Sequence, residues 1–124
     1  PGNVARNARA FRDARTALAR GAAIAVYPEG TRRKDTRYLG PFEDGAFVMA
    51  VDNGVPLVPV VVSRFKPKLD TDALHIEPQV VRVRVLEPIP TTGLVRADVP
   101  RLRDEARARM QVVLDADAAE AGEP

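Results

Sequence analysis

Two short apolar runs, residues 22–27 and 55–62, with a helical pattern between them, constrain this chain more than any other feature. The first reads Ala-Ala-Ile-Ala-Val-Tyr and stops at Pro28; the second reads Val-Pro-Leu-Val-Pro-Val-Val-Val. Buried strands read as short continuous apolar runs with turn chemistry at their ends. Between the runs, residues 43–52 put Ala46, Phe47, Ala50 and Val51 on one helical face, and Asn53-Gly54 closes that helix. A strand, a helix and a second strand joined by short loops predict a right-handed crossover and parallel pairing. Proline donates no ladder hydrogen bond, so Pro56 and Pro59 belong at a strand start, an edge or a bulge.

The flanks are consistent with a layered domain. Over residues 3–20, Val4, Ala8, Phe11, Ala14 and Leu18 recur at helical spacing. Asn3 is positioned as N-cap and Gly21 as the left-handed stop. Arg6, Arg9, Arg12, Asp13, Arg15 and Arg20 fill the other faces, as a solvated, mainly cationic surface does. Residues 79–86 alternate, with Val81, Val83 and Val85 on one face and Arg82 and Arg84 on the other, which predicts a half-exposed strand near a sheet edge. A proline-rich turn precedes a helix over 98–116, capped by Asp98, whose buried stripe is Leu102, Ala106, Met110, Val113 and Leu114. Residues 118–124 lack any pattern and are expected to fray. The predicted class is α/β: a mixed, partly parallel sheet flanked by helices, over residues 1–117.

Composition removes several functions. A length of 124 residues suits one domain or part of one. The chain starts at Pro1 and offers one helix before its first strand, so it is expected to be a piece of a longer chain. A net charge of +2 with basic residues lacking interleaved aromatics argues against a nucleic-acid platform. Arginine greatly outnumbers lysine, which fits a GC-rich coding genome or a need for guanidinium forks on anions. Without cysteine there is no disulfide or thiolate chemistry, and one histidine with scattered carboxylates makes no metal set. No Walker or Gly-x-Gly-x-x-Gly loop is present. No apolar run approaches the ~20 residues that span a bilayer.

What remains is the loop after the first run. Glu29, Gly30, Thr31 and Arg32 put a carboxylate, a glycine, a hydroxyl and a guanidinium together where a strand stops. On these residues alone, a loop-closing Glu29–Arg32 salt bridge fits as well as a binding site. The neighbouring blocks shift that balance. Tyr27-Pro28-Glu29-Gly30-Thr31-Arg32 resembles the Phe-Pro-Glu-Gly-Thr-Arg motif of the glycerolipid acyltransferases, among them the bacterial 1-acylglycerol-3-phosphate acyltransferases. Gly40-Pro41-Phe42-Glu43-Asp44-Gly45 resembles that family's Pro-Phe-Lys-x-Gly segment, and Val55-Pro56-Leu57-Val58-Pro59-Val60 its Val-Pro-Ile-Val-Pro-Val block. Gly93-Leu94 fits more weakly. The likeness runs over residues 3–114.

The resemblance implies a partial glycerolipid acyltransferase-like domain. Its parent would move an acyl chain from an acyl-CoA or acyl carrier protein thioester to the hydroxyl of a lysophospholipid such as 1-acylglycerol-3-phosphate. The family's general base lies in an upstream His-x-x-x-x-Asp motif that this sequence lacks. Its one histidine, His75, is followed five places on by Val80 and is expected to be a solvated loop residue. No catalytic residue is therefore assigned here, and the segment alone is expected to be inactive. Arg32 would hold the acceptor phosphate through its fork of donors. Gly30 would allow close approach, and Thr31 would donate to the anion or cap the loop. Glu29 would pair with an arginine or accept a hydrogen bond from the glycerol. Arg33, with Lys34, would deepen the positive field, and Pro59 would belong to the active-site wall. Lys66 and Lys68 are expected to be solvated, while Phe42, Phe47 and Met49 suit core packing better than an acyl groove. No cofactor is implied, and the parent would meet the cytoplasmic face of a membrane. The alternative is a non-catalytic module of the same fold that binds anions or a membrane surface.

Overall fold

Helices form where the apolar spacing places them in the computed structural model, which describes residues 4–30, 39–65 and 80–120. Helix α1 spans Val4–Ala19 and buries Ala14, with Phe11 and Leu18 half-buried. It ends at Gly21, whose φ of 87° lets the N–H groups of Gly21 and Ala22 turn back to the carbonyls of Leu18 and Ala17. Helix α2 spans Gly45–Asn53, and the left-handed Gly54 closes it. Helix α3 spans Val99–Glu120 and is entered through a 3-10 turn, Arg96–Asp98. The Asp98 carboxylate accepts the Val95 N–H at 2.9 Å, so it caps that turn rather than α3 itself. Helix α3 also runs past residue 116 into the stretch expected to fray; residues 121–124 lie outside the described set.

The core forms where α2 and α3 meet the segments beside them. Phe42, Phe47, Val51, Ile89, Val99, Leu102 and Ala106 are buried together, and the rings of Phe42 and Phe47 stack at 6.1 Å. Phe42 and Phe47 are thus core residues, as their spacing suggested. Full burial of each such side chain contributes about 1.5–3 kcal/mol.

The sheet departs from expectation. Strands β1 (Val60–Phe65) and β2 (Val80–Val85) pair antiparallel, with Val60 opposite Val85 and Val62 opposite Val83. No parallel pair exists among the described residues. Residues 22–27, expected to be a central strand, form none, and Ile24 and Val26 are 38% and 43% exposed. An apolar run becomes a strand only when a neighbour takes up its backbone groups, and none of the described residues does so here. Strand β1 begins later than residue 55 because of its prolines. Leu57 exchanges two hydrogen bonds with Ile89, at 3.0 and 2.7 Å, while Pro59 can only accept, from the Leu86 N–H at 2.9 Å. The ladder becomes continuous at Val60, beyond the last missing donor.

The alternation in β2 is real, but its arginine face is the one turned toward α3, with Arg82 half-buried and Arg84 still exposed. Val60, Val62, Val81, Val83 and Val85 share the open face, while Val61 and Ser63, opposite Arg84 and Arg82, lie under α3. Asp117 of α3 causes this. It is 2% exposed and accepts from Ser63 Oγ at 2.6 Å, Arg82 Nη1 at 3.1 Å and Arg84 Nε at 3.0 Å. A buried carboxylate persists only when its oxygens are matched in this way. Arg82 also grips Glu120 at the end of the helix.

Burial pushes the Asp117 carboxyl up, but the hydrogen bonds from Arg84, Ser63 and Arg82 outweigh it and hold the group below the usual carboxylate value. A depressed folded-state pKa adds stability above the unfolded value that is lost as pH falls through the folded one. In the full-length protein, Asp117→Asn is expected to cost about 2 kcal/mol at neutral pH, as for hydrogen bonds to a charged group. The gap to the parent should hold steady down to about pH 5 and shrink below 3.8. Denaturant unfolding across pH checks this; a gap that widened in acid would contradict it.

Candidate functional site

The turn at the head of the Glu-Gly-Thr-Arg motif is built by local bonds. The Gly30 N–H donates to the Tyr27 carbonyl at 3.0 Å, which folds residues 27–30 into a tight turn with Gly30 at a φ of 72°. Tyr27 projects into solvent, 88% exposed, while Pro28 and Glu29 are half-buried. The Pro28 carbonyl accepts the Glu43 N–H at 2.7 Å, tying the turn to the approach of α2.

Glu29 turns toward the chain rather than outward. Its Oε2 accepts the Gly40 N–H at 2.8 Å and so draws residue 40 to the turn. Helix α3 holds the same point from the other side. Arg107 donates from Nε to the Gly40 carbonyl at 3.0 Å and from Nη2 to the Leu39 carbonyl at 2.6 Å. Gln111 Oε1 accepts the Leu39 N–H at 3.0 Å, and its Nε2 donates to Asp115 Oδ1 at 3.0 Å. One turn earlier, Arg103 Nη1 reaches Asp44 Oδ1 at 2.9 Å, just ahead of α2. Arg103, Arg107 and Gln111 recur every four residues, so they line one flank of α3 beside the apolar stripe. Together they hold residues 39–44.

The predicted site residues therefore divide. Glu29 and Gly30 stand together at the turn, beside Gly40 and Glu43. Thr31, Arg32 and Arg33 lie outside the described residues, as do Lys34, Lys66, Lys68 and His75. Pro59 belongs to the sheet, buried between the Leu57–Ile89 bridge and β1. Met49 is half-buried on α2. Arg107 and Gln111 were not foreseen. Their four-residue spacing beside the stripe was the available signal, but it is shared by any solvated helix flank.

Comparisons with known proteins give matches in sequence and in fold. The family model described as Acyltransferase matches residues 2–63. A human protein, 1-acyl-sn-glycerol-3-phosphate acyltransferase beta, is 48% identical over 86 residues, 69% of this chain and 31% of its own length. The 1-acyl-sn-glycerol-3-phosphate acyltransferase of Escherichia coli (strain K12) is 38% identical over 88 residues, 71% of this chain and 35% of its own. The crystal structure of the 1-acyl-sn-glycerophosphate (LPA) acyltransferase PlsC from Thermotoga maritima superposes with a TM-score of 0.66 at 26% identity. That match covers 90% of this chain and 45% of the other. The chain thus spans about a third of the length of the curated relatives it matches.

Gly30 gives the turn a test of its own. Its positive φ disfavours any L side chain, and a Cβ there would sit 2.7 Å from Glu43 Oε1. The Glu43 carboxylate is the end of an exposed, flexible side chain and can swing aside, so backbone strain sets the cost. Gly30→Ala is expected to cost about 1–2 kcal/mol and Gly30→Asn about half as much, because asparagine tolerates the left-handed region. Equal losses in unfolding experiments would mean that the clash, and not the dihedral angle, decides.

Proposed function

The chain belongs to the acyltransferase family, and from that premise we propose that it forms the acceptor-phosphate portion of a 1-acylglycerol-3-phosphate acyltransferase. The observation that carries this is the anchored turn: the backbone leaves it at Gly30 straight into Thr31 and Arg32, and it returns at Leu39 and Gly40 onto side chains of α3. The relatives, which are 1-acyl-sn-glycerol-3-phosphate acyltransferases, supply the substrate class.

In this proposal the acceptor is a lysophospholipid whose phosphate monoester approaches a dianion. Arg32 meets two of its oxygens with a planar fork, and Thr31 adds a hydroxyl donor. Gly30, without a side chain, lets the headgroup approach the backbone once the exposed Glu43 carboxylate, which lies where a Cβ would point, swings aside. Arg33 adds to the local positive potential. Glu29 serves the site by holding the backbone, its Oε2 accepting the Gly40 N–H. The acceptor hydroxyl oxygen attacks the thioester carbonyl of an acyl-CoA or acyl carrier protein donor. The carbon–sulfur bond breaks and the thiol departs. A histidine of the family's His-x-x-x-x-Asp motif, which this chain does not contain, takes the hydroxyl proton and passes it to the departing sulfur. The thioester is already activated, so the proposal calls on no redox cofactor. In this proposal the lipid acceptor is met at a membrane surface, on the cytoplasmic side where the thioester donors are. Among the described residues no helix is long and apolar enough to cross one.

Loss of the fork should be felt by one substrate only. In the full-length protein, Arg32→Ala is expected to raise KM for 1-acylglycerol-3-phosphate about 10- to 100-fold, the equivalent of ~1.5–3 kcal/mol for hydrogen bonds to a charged group. KM for the thioester should stay within about twofold, and Arg32→Lys should fall between, keeping charge without the fork. Steady-state kinetics with each substrate varied in turn decide; equal effects on both would remove the phosphate role.

A further inference from the structure

We propose that Arg107, together with Gln111, is a positioning residue for acceptor binding: it fixes the peptide unit that Glu29 holds and so sets where the Thr31–Arg32 segment is anchored. This rests on the phosphate-site reading above. Three successive peptide units are held by side chains. The unit joining residues 38 and 39 gives its N–H to Gln111. The unit joining Leu39 and Gly40 is gripped at both ends, its N–H by the Glu29 carboxylate at 2.8 Å and its carbonyl by the Arg107 guanidinium at 2.6 Å. The next unit gives its carbonyl to Arg107 Nε at 3.0 Å and, ending in Pro41, has no N–H to place.

The central unit is the telling one. An anion on the donor side and a cation on the acceptor side polarise the same amide in the same sense, so each bond strengthens the other. Gly40 is buried, where such bonds are stronger and a missing partner costs more. Arg109 shows what a helix arginine does when nothing else is asked of it: it pairs with Glu105 one turn back, at 2.8 Å. Arg107 instead crosses 67 and 68 residues of sequence to two adjacent carbonyls. A fork can reach both; an ammonium on a single stem cannot be placed at both with the same geometry. Glu29 lies three positions before Arg32, so release of the Leu39–Gly40 unit also removes a hydrogen bond from the carboxylate at the head of the motif.

The experiment uses the full-length protein with Arg107→Met, Arg107→Lys, Arg32→Ala and the double variant Arg32→Ala/Arg107→Met. Arg107→Met is expected to speed amide exchange at Leu39 and Gly40 about tenfold and to raise KM for 1-acylglycerol-3-phosphate about tenfold. Its kcat and its KM for the thioester should stay within about twofold. Arg107→Lys should restore part of both effects, which keeps the test sound if the methionine variant folds poorly. In the Arg32→Ala background, Arg107→Met should add less than about twofold, because the group it positions is gone. Unchanged exchange at both amides would overturn the clamp. A KM effect of full size in the Arg32→Ala background, or kcat and both KM values worsening together, would overturn the positioning role. An unchanged acceptor KM in Arg32→Ala alone would overturn the phosphate-site reading and the role that rests on it, while exchange still reports on the clamp separately.

Discussion

Leu102 and Ala106 of α3, packed against Phe42, Phe47, Val51 and Ile89, make the contact on which the other parts of this structure depend. It fixes the helix in direction and in rotation about its axis. With the apolar stripe seated, residues 103, 107 and 111 can only look toward the segment at 39–44, and Asp117 can only look toward the sheet. A rotation of one residue, about 100° in a helix, would take all of these off their partners. The fold therefore converts undirected apolar packing into directed polar contacts at two places along one helix.

Those polar contacts differ in weight because their surroundings differ. Asp117 is buried and takes hydrogen bonds from two strands, so it ties α3 to β1 and β2 in a specific register. The Arg96–Asp52 pair is geometrically good at 2.7 Å, but both partners are open to water, and pairs of that kind contribute little. Arg107 is of a third kind. Its partners are backbone carbonyls, and what it secures is the placement of two adjacent peptide units beside the motif.

The helices were legible because their signals are local. The stripe through Ala14, the Asn53-Gly54 stop and the stripe through Leu102 and Ala106 each declare themselves within a few turns. Sheet pairing is not local, and there the expectation failed. A strand–helix–strand order pointed to parallel pairing, yet β1 takes β2 as its antiparallel neighbour and residues 22–27 find no ladder among the described residues. Pro56 and Pro59 were read correctly as irregular positions, but not as a delay in the start of β1 to Val60. Arg82 and Arg84 look outward-facing by pattern, and only the acidic end of α3 shows why they turn to that helix. At the site, Glu29 and Gly30 stood out because the motif is contiguous. Arg107 and Gln111 did not, since a side chain that binds backbone recognises atoms that every residue has.

The grip on Leu39 and Gly40 has a consequence for how such a chain can diversify. Leu39 and Gly40, which follow residues 31–38, are secured by Glu29, Arg107 and Gln111, all of which lie outside that interval. Substitutions and insertions within the interval leave the anchors intact. Closing a loop of twice the length costs only about 0.6 kcal/mol more. Recognition can then evolve as a cassette, exchanged between two fixed posts while the core beneath keeps its sequence.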